Sequence, residues 1–325
     1  MNIMRKKILD LPGVYSTAAL NLDGKLYFAV ASENRGEKAY IIDADSLEYS
    51  LLWDDEDSGV MNVIQIPGEN RLLCITKFYP VFQSKKAEIC LLEPTEKGFL
   101  SPWKKTRVLA LPYCHRIGVF QNGKGKYLVS CTLCKDKNYE QDWSMPGAVY
   151  FSELDDWKPT VQLEGLTKNH GLWIDGTDVY VTAENGVFRF DCSSYDGHSR
   201  LSPVQLSDTP TSDISVSESY FATIEPFHGN LSALYDKNYC KIGEDAMDFG
   251  HVVWTGRING RECVIEGNRG GRKTLVLKDI LSGEETVLEE NVGPTQVTVV
   301  EKGTSAIVLA ANHGAGIVCI YELEG

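Results

Sequence analysis

The chain has 325 residues, 43% hydrophobic and 24% charged, with a formal net charge of −13. That charge argues against nucleic acid or anionic lipid as a partner, and the hydrophobic share argues against disorder. The longest apolar runs are strand-sized, so no segment is expected to span a membrane.

The chain opens MNIMRKKILDLPG, which lacks the apolar stretch of a secretion signal, so a cytoplasmic location is expected. Within it KKILDLP (6–12) reads as a strand with no neighbour in sequence to pair with. Seven two-strand units follow. They are LYFAVASENRGEKAYIID (26–43), RLLCITKFYPVFQSKKAEICLLE (71–93), KYLVSCTLCKDKNYEQDWSMPGAVYFSE (126–153), DVYVTAENGVFRFD (178–191), SYFATIEPFHGNLSALYD (219–236), ECVIEGNRGGRKTLVLKD (262–279) and SAIVLAANHGAGIVCIYE (305–322). Each is a β-branched or aromatic run, a polar or Gly-rich tip and a second such run, the mark of a hairpin. A shorter strand precedes each, starting near Tyr15, Met61, His115, His170, Asp213, His251 and Thr295, and ends in a turn such as LDGK or INGR. An outer strand follows six of them: EYSLLW, RVLALP, TVQLEG, PVQLSD, KIGED and ETVLEE.

Successive starts lie 38 to 55 residues apart. That period, with four strands per unit, predicts an all-β, seven-bladed β-propeller of four-stranded antiparallel blades, one domain over residues 1–325. The seventh unit has no outer strand of its own after Glu322. Residues 6–11 are expected to supply it and close the ring, which hides the edges of an open sheet. Most of the nine cysteines fall inside predicted strands, as buried free thiols in a reducing compartment would. The pattern leaves the oligomeric state open, a homo-oligomer included.

In a propeller the first strand of each blade lines the channel, and the tip between the second and third strands shares a face with the entry to the first. Five of the six histidines fall at such places. His115, His170 and His251 open first strands, and His228 and His313 lie on the tips EPFHGN and ANHGAG. One histidine at a strand start is ordinarily a structural hydrogen-bonding residue; five at equivalent places point to metal binding, acid–base chemistry or both. Neutral imidazole suits zinc and other first-row divalent ions, and a catalytic zinc typically keeps three protein ligands. His170, His228 and His251, from three successive blades, are the expected ligands. His115 and His313 are then free for proton transfer. Other tips bring Glu33, Asn34, Lys77, Tyr79, Gln83, Glu184, Asn185, Glu225, Asn268 and Arg269 to the same face. The longest tip, in blade three, could cover the channel mouth with Asp142 and Trp143. His198 lies on an outer turn, the lone Cys131/Cys134 pair reads as structural, and the acidic run 54–57 reads as a solvated loop.

The phrases PYCHRIGVFQNGKGKYLVSCTL, DWSMPGAVY, KNHGLWIDG, IEPFHGN and GHVVWTGRINGRECVIEGNRGG resemble the propeller domain of the aldos-2-ulose dehydratase (1,5-anhydro-D-fructose dehydratase) family. The resemblance runs over most of blades two to six and is weaker in blades one and seven. It implies a metal-dependent carbon–oxygen lyase that dehydrates a keto-sugar. The fungal enzyme also carries cupin domains tied to an isomerising step, which have no counterpart in this sequence. Such a β-elimination needs a base, a stabiliser of the enolate oxygen and an acid for the leaving hydroxyl. His115 suits the base. His313, Tyr79 or Glu184 suits the acid, and Arg116 suits the carbonyl oxygen or a carboxylate that orients the His115 imidazole. Lys77, Gln83, Asp142, Trp143, Glu225, Asn268 and Arg269 are the expected sugar contacts. Two other readings use the same scaffold: a keto-glycoside lyase or sugar lactonase, and a non-catalytic interaction propeller.

Overall fold

A computed structural model of the chain describes residues 2–53 and 58–325; the acidic run 54–57 lies outside them. Among the described residues twenty-eight strands form seven separate four-stranded sheets, each antiparallel with its strands in chain order from the axis outward, except for the last. Blade one runs Val14–Leu22, Lys25–Ser32, Ala39–Asp43 and Tyr49–Leu51, and blade three runs Cys114–Asn122, Gly125–Thr132, Gly147–Glu153 and Thr160–Leu166. The expected hairpins and outer strands agree with the observed strands to within a few residues. In blade five the first strand is Asp213–Val216, but the residue equivalent to His115 and His170 is Ser212, one before the expected start. The run TPTSD holds several small polar residues in succession, so apolar alternation does not mark the register there.

The seventh blade is built from Gln296–Lys302, Ser305–Asn312, Ile317–Glu324 and, outermost, Asn2–Asp10. The N-terminal strand is longer than expected. It pairs from Asn2↔Glu324 to Asp10↔Ile317, with a bulge between Lys7 and Leu9. Each first strand touches the first strand of the next blade, and the seventh touches the first, so the ring is closed. Apolar layers fill the spaces between blades. Val14, Phe28 and Ile42 of blade one meet Leu309, Val318 and Ile320 of blade seven, and Phe120, Val129 and Phe151 of blade three meet Val179 and Phe190 of blade four. The core is therefore a circle of sheet-on-sheet contacts, each supported by its two neighbours. Eight of the nine cysteines are buried and free, and Cys240 is exposed.

Removing residues 1–12 deletes the outer strand of blade seven and uncovers the edge at Ile317–Glu324. The truncated chain should melt at least about 10 °C lower, or fail to fold, because opening the ring weakens two inter-blade layers together. A melting curve superimposable on that of the full chain would refute this role for the strand.

Candidate functional site

The site starts from one backbone position repeated seven times. At the head of the first strands stand Tyr15, Met61, His115, His170, Ser212, His251 and Thr295. In blades two, four, five and seven the amides of Met61, His170, Ser212 and Thr295 bond back to the second strand, at the carbonyls of Ile75, Thr182, Ile224 and Ala311. In blades one, three and six the same place is a β-bulge at Tyr15, His115 and His251. A bulge re-aims its side chain.

Four of the seven side chains at this position reach a carbonyl of the next blade. His115 Nδ1–H donates to the His170 carbonyl (3.3 Å), His170 Nδ1–H to the Ser212 carbonyl (3.2 Å) and His251 Nδ1–H to the Thr295 carbonyl (2.9 Å). The Thr295 hydroxyl donates to the Tyr15 carbonyl (3.1 Å). A carbonyl only accepts, so the three imidazoles carry their proton on Nδ1 and turn a bare Nε2 inward. Tyr15 Oη lies 3.4 Å from His115 Nε2 and 3.3 Å from His251 Nε2. Sequence reasoning passed over Tyr15, although it occupies the same repeat position as the three ring histidines.

His228 arrives from above, on the blade-five tip. Its backbone is left-handed (φ 46°). Its amide bonds Ser212 Oγ at 3.2 Å, and its ring stacks on Phe227 with centroids 4.1 Å apart. Gly229 permits this turn, because a Cβ there would overlap the carbonyl of Glu225. His228 Nε2 faces His170 Nε2 at 3.3 Å. Ligand atoms of His170, His228 and His251 all lie within 4.8 Å of one another.

Aromatic rings surround the imidazoles. Phe78 packs edge-on to His115, Phe227 to His170 and Phe249 to His228. Phe82 reaches His228, and Trp143, from the long blade-three tip, packs on Phe82 and Phe227. That tip does cover part of the mouth, as expected. Below the imidazoles the channel holds a cavity of about 190 Å³ lined by Asn62, Arg116, Asp213, His251, Thr295 and Gln296 among others. Arg116 is buried there. Nη2 lies 3.9 Å from Asp213, and Nη1 has no hydrogen-bond partner among the described residues.

Burial pushes His115, His170 and His251 well below the usual imidazole range, with help from neighbouring imidazoles and from Arg116. Burial, then Arg269 and Arg116, lowers His228 to about 3. Burial lifts Tyr15 to about 12 and Asp213 to about 6, the latter against the pull of Arg116. The cluster thus offers lone pairs and not protons.

Several expected site residues are placed elsewhere. His313 pairs with Glu33 (2.7 Å) and with Arg269 (3.1 Å), beside the imidazole cluster and not in it. Glu184 is bound by Lys168 (2.7 Å) and Lys77 by Glu88 (3.0 Å). Glu225 is buried inside blade five, accepting from Tyr235 and Thr223 and paired with Lys241. Asn268 bonds Asp248 N and Thr274 Oγ1 within its own tip. Asp142 accepts from Asn138 and Ser144 and so organises its loop. Tyr79 and Gln83 line a separate groove over blades one to three. The common reason is that a polar tip side chain close to its own blade satisfies a backbone or side-chain partner there before it reaches the axis.

No protein-family model matches the chain, and no curated protein is significantly similar to it. In structure, 1136 solved chains match, so the fold is widely shared. One is a crystal structure of BBS1N in complex with ARL6DN, soaked with mercury. It superposes with a TM-score of 0.60 at 11% identity, over 99% of this chain and 95% of that one. At that identity the likeness establishes the propeller and nothing finer.

A buried imidazole held neutral costs stability in acid. The unfolded chain takes up a proton near pH 6.5, whereas the folded site takes it up only at much lower pH. Stability is therefore fully present above about pH 6.5 and is lost progressively as pH falls below it. With a chelator present, the melting temperature should drop steeply from about pH 6.5 downward, and His115→Asn should flatten the slope. A flat profile between pH 7 and 5 would show that the cluster is not buried and neutral.

Proposed function

We propose that this propeller is a metal-dependent lyase that removes water from a keto-sugar such as 1,5-anhydro-D-fructose. The observation that carries the reading is the convergence of His170, His228 and His251, with His170 and His251 tautomers fixed by carbonyls of the next blade. Two nitrogens bound at about 2.0–2.1 Å to one tetrahedral zinc lie about 3.3 Å apart. That is the His170–His228 spacing of 3.3 Å. Three neutral imidazoles with no carboxylate among them suit zinc or a similar divalent ion. When bound, the ion supplies Lewis-acid charge at the ketone oxygen.

The remaining steps fall to the chain's own groups. His115 is assigned as the base. Its Nδ1–H is committed to the His170 carbonyl, so Nε2 is free to accept the proton from the carbon beside the ketone. The C–H electron pair becomes the new double bond of the enolate as negative charge moves to oxygen. Arg116 faces that charge with a buried Nη1 that has no other acceptor among the described residues. When the double bond forms between the neighbouring carbons, the hydroxyl leaves and must take a proton. His313 is assigned to donate it: its Nε2, 2.7 Å from Glu33, sits at the edge of the imidazole cluster, outside the set that would hold the ion. Trp143, Phe82 and Phe227 supply apolar walls that exclude water from the enolate.

The purified chain should carry one divalent ion, and a screen of 2-keto and 3-keto sugars should give enone absorbance with one of them. His170→Ala should lose both metal and turnover while the propeller stays folded, since the blades and not the ion form the core. His115→Ala should keep the metal and lose a factor of roughly 10²–10⁴ in rate. Metal-loaded protein that forms no enone but hydrolyses a lactone would replace this reading with the lactonase one.

A further inference from the structure

Resting on the reading of the imidazole cluster as a sugar site, we infer that the keto-sugar ring that reacts there is part of a larger anionic carbohydrate, whose charged unit occupies a second subsite. That subsite is the groove of about 550 Å³ lined by Arg35, Tyr79, Lys85, Lys86, Lys137 and Tyr139 together with Pro80, Gln83 and Tyr113. It draws on the tips of blades one, two and three, on the same face as the imidazoles.

Four observations carry the inference. The chain has a net charge of −13, yet four cations line one groove and no carboxylate lines it. Asp136 at its margin takes up Lys85 (2.8 Å) and accepts from Tyr113 Oη. Arg35 and Lys86 make no ion pair among the described residues, and Arg35 rests over the Tyr79 ring at 5.3 Å. Lys137 is only 3% exposed, and its ammonium is held by the Glu140 carbonyl (2.7 Å) and the Trp143 ring (3.1 Å) without a carboxylate. A buried ammonium so placed costs desolvation energy unless an anion offsets it.

The groove also has the aromatic faces that sugars stack on, in Tyr79 and Tyr139. It adjoins the imidazole site across Phe82. Lys137 Nζ lies 5.8 Å from the Phe82 ring, and Phe82 lies 6.0 Å from the ring of His228. One phenyl ring is thus the partition between them. A sugar reacting at the imidazoles can extend past Phe82 and place a carboxylate or a phosphate among the cations. Charge steering would draw such a ligand to this face of an otherwise acidic protein.

The test is calorimetric titration of the full chain in EDTA with D-glucuronate, glucose 6-phosphate, glucose and inorganic phosphate. One or both anionic sugars should bind at least about 10-fold more tightly than glucose. The tighter of the two identifies the anionic group. The Arg35→Gln/Lys86→Gln double variant should abolish the preference and leave metal content unchanged, and added salt should weaken it. The inference is overturned if glucose binds as well as the anionic sugars, or if the double variant keeps the preference. It is also overturned if inorganic phosphate binds as tightly as glucose 6-phosphate, which would make the groove an anion patch with no use for a sugar. His170→Ala should leave these affinities intact, so failure of the lyase reading and failure of this one are separable.

Discussion

A single hydrogen bond, from the side chain at the head of one inner strand to the carbonyl at the head of the next, ties this molecule together at its axis. It recurs from His115 to His170, from His170 to Ser212, from His251 to Thr295 and from Thr295 to Tyr15. A second set lies one residue further in. Ser16, Asn62 and Gln296 accept from the amides of Val63, Ile117 and Thr17 in the following blades. All but the Thr17–Gln296 bond, which is part-buried, are buried, so each of those is costly to leave unmade. Where the donor is an imidazole, the bond that joins two blades also decides which nitrogen keeps the proton. Architecture and site chemistry are the same contact.

The blades were legible in the sequence because the second strand of most blades is a nearly continuous apolar run, buried between neighbouring blades and bounded by polar or Gly-rich turns. The closing strand was legible by default, since Ile317–Glu324 needed a partner and only the N-terminal run was left over. The ring histidines were legible because a repeat fixes equivalent places. What the sequence did not disclose is where tip side chains turn. Glu225 and Glu184 are as polar as Glu33 and lie at comparable tips. Only the packing of Tyr235 and Lys241 on Glu225, and of Lys168 on Glu184, draws two of them away from the axis while Glu33 reaches His313. Tyr15 was overlooked for a different reason: the search followed one residue type and not one position.

The surroundings of the cluster act in one direction. Burial, Arg116 below and Arg269 at the side all disfavour a proton on the imidazoles. Cations that repel a proton would also repel a metal ion, so three converging lone pairs are needed to hold one there. The same cations favour a developing oxyanion. A site of this kind selects for a reaction whose hard step is to accumulate negative charge on the substrate, and it disfavours one that begins by protonating it.

The pairing of Asn2–Asp10 with Ile317–Glu324 also sets an order of events at the ribosome. Asn2–Asp10 is made before the other strands of the ring, and its partner Ile317–Glu324 emerges only after them. Until then an open row of six blades carries two unpaired flanks and an apolar layer with no cover. Until Ile317–Glu324 is made, the ring of blades cannot close on Asn2–Asp10. Chaperones that shield open sheet edges therefore bear on how much of the chain reaches the closed ring.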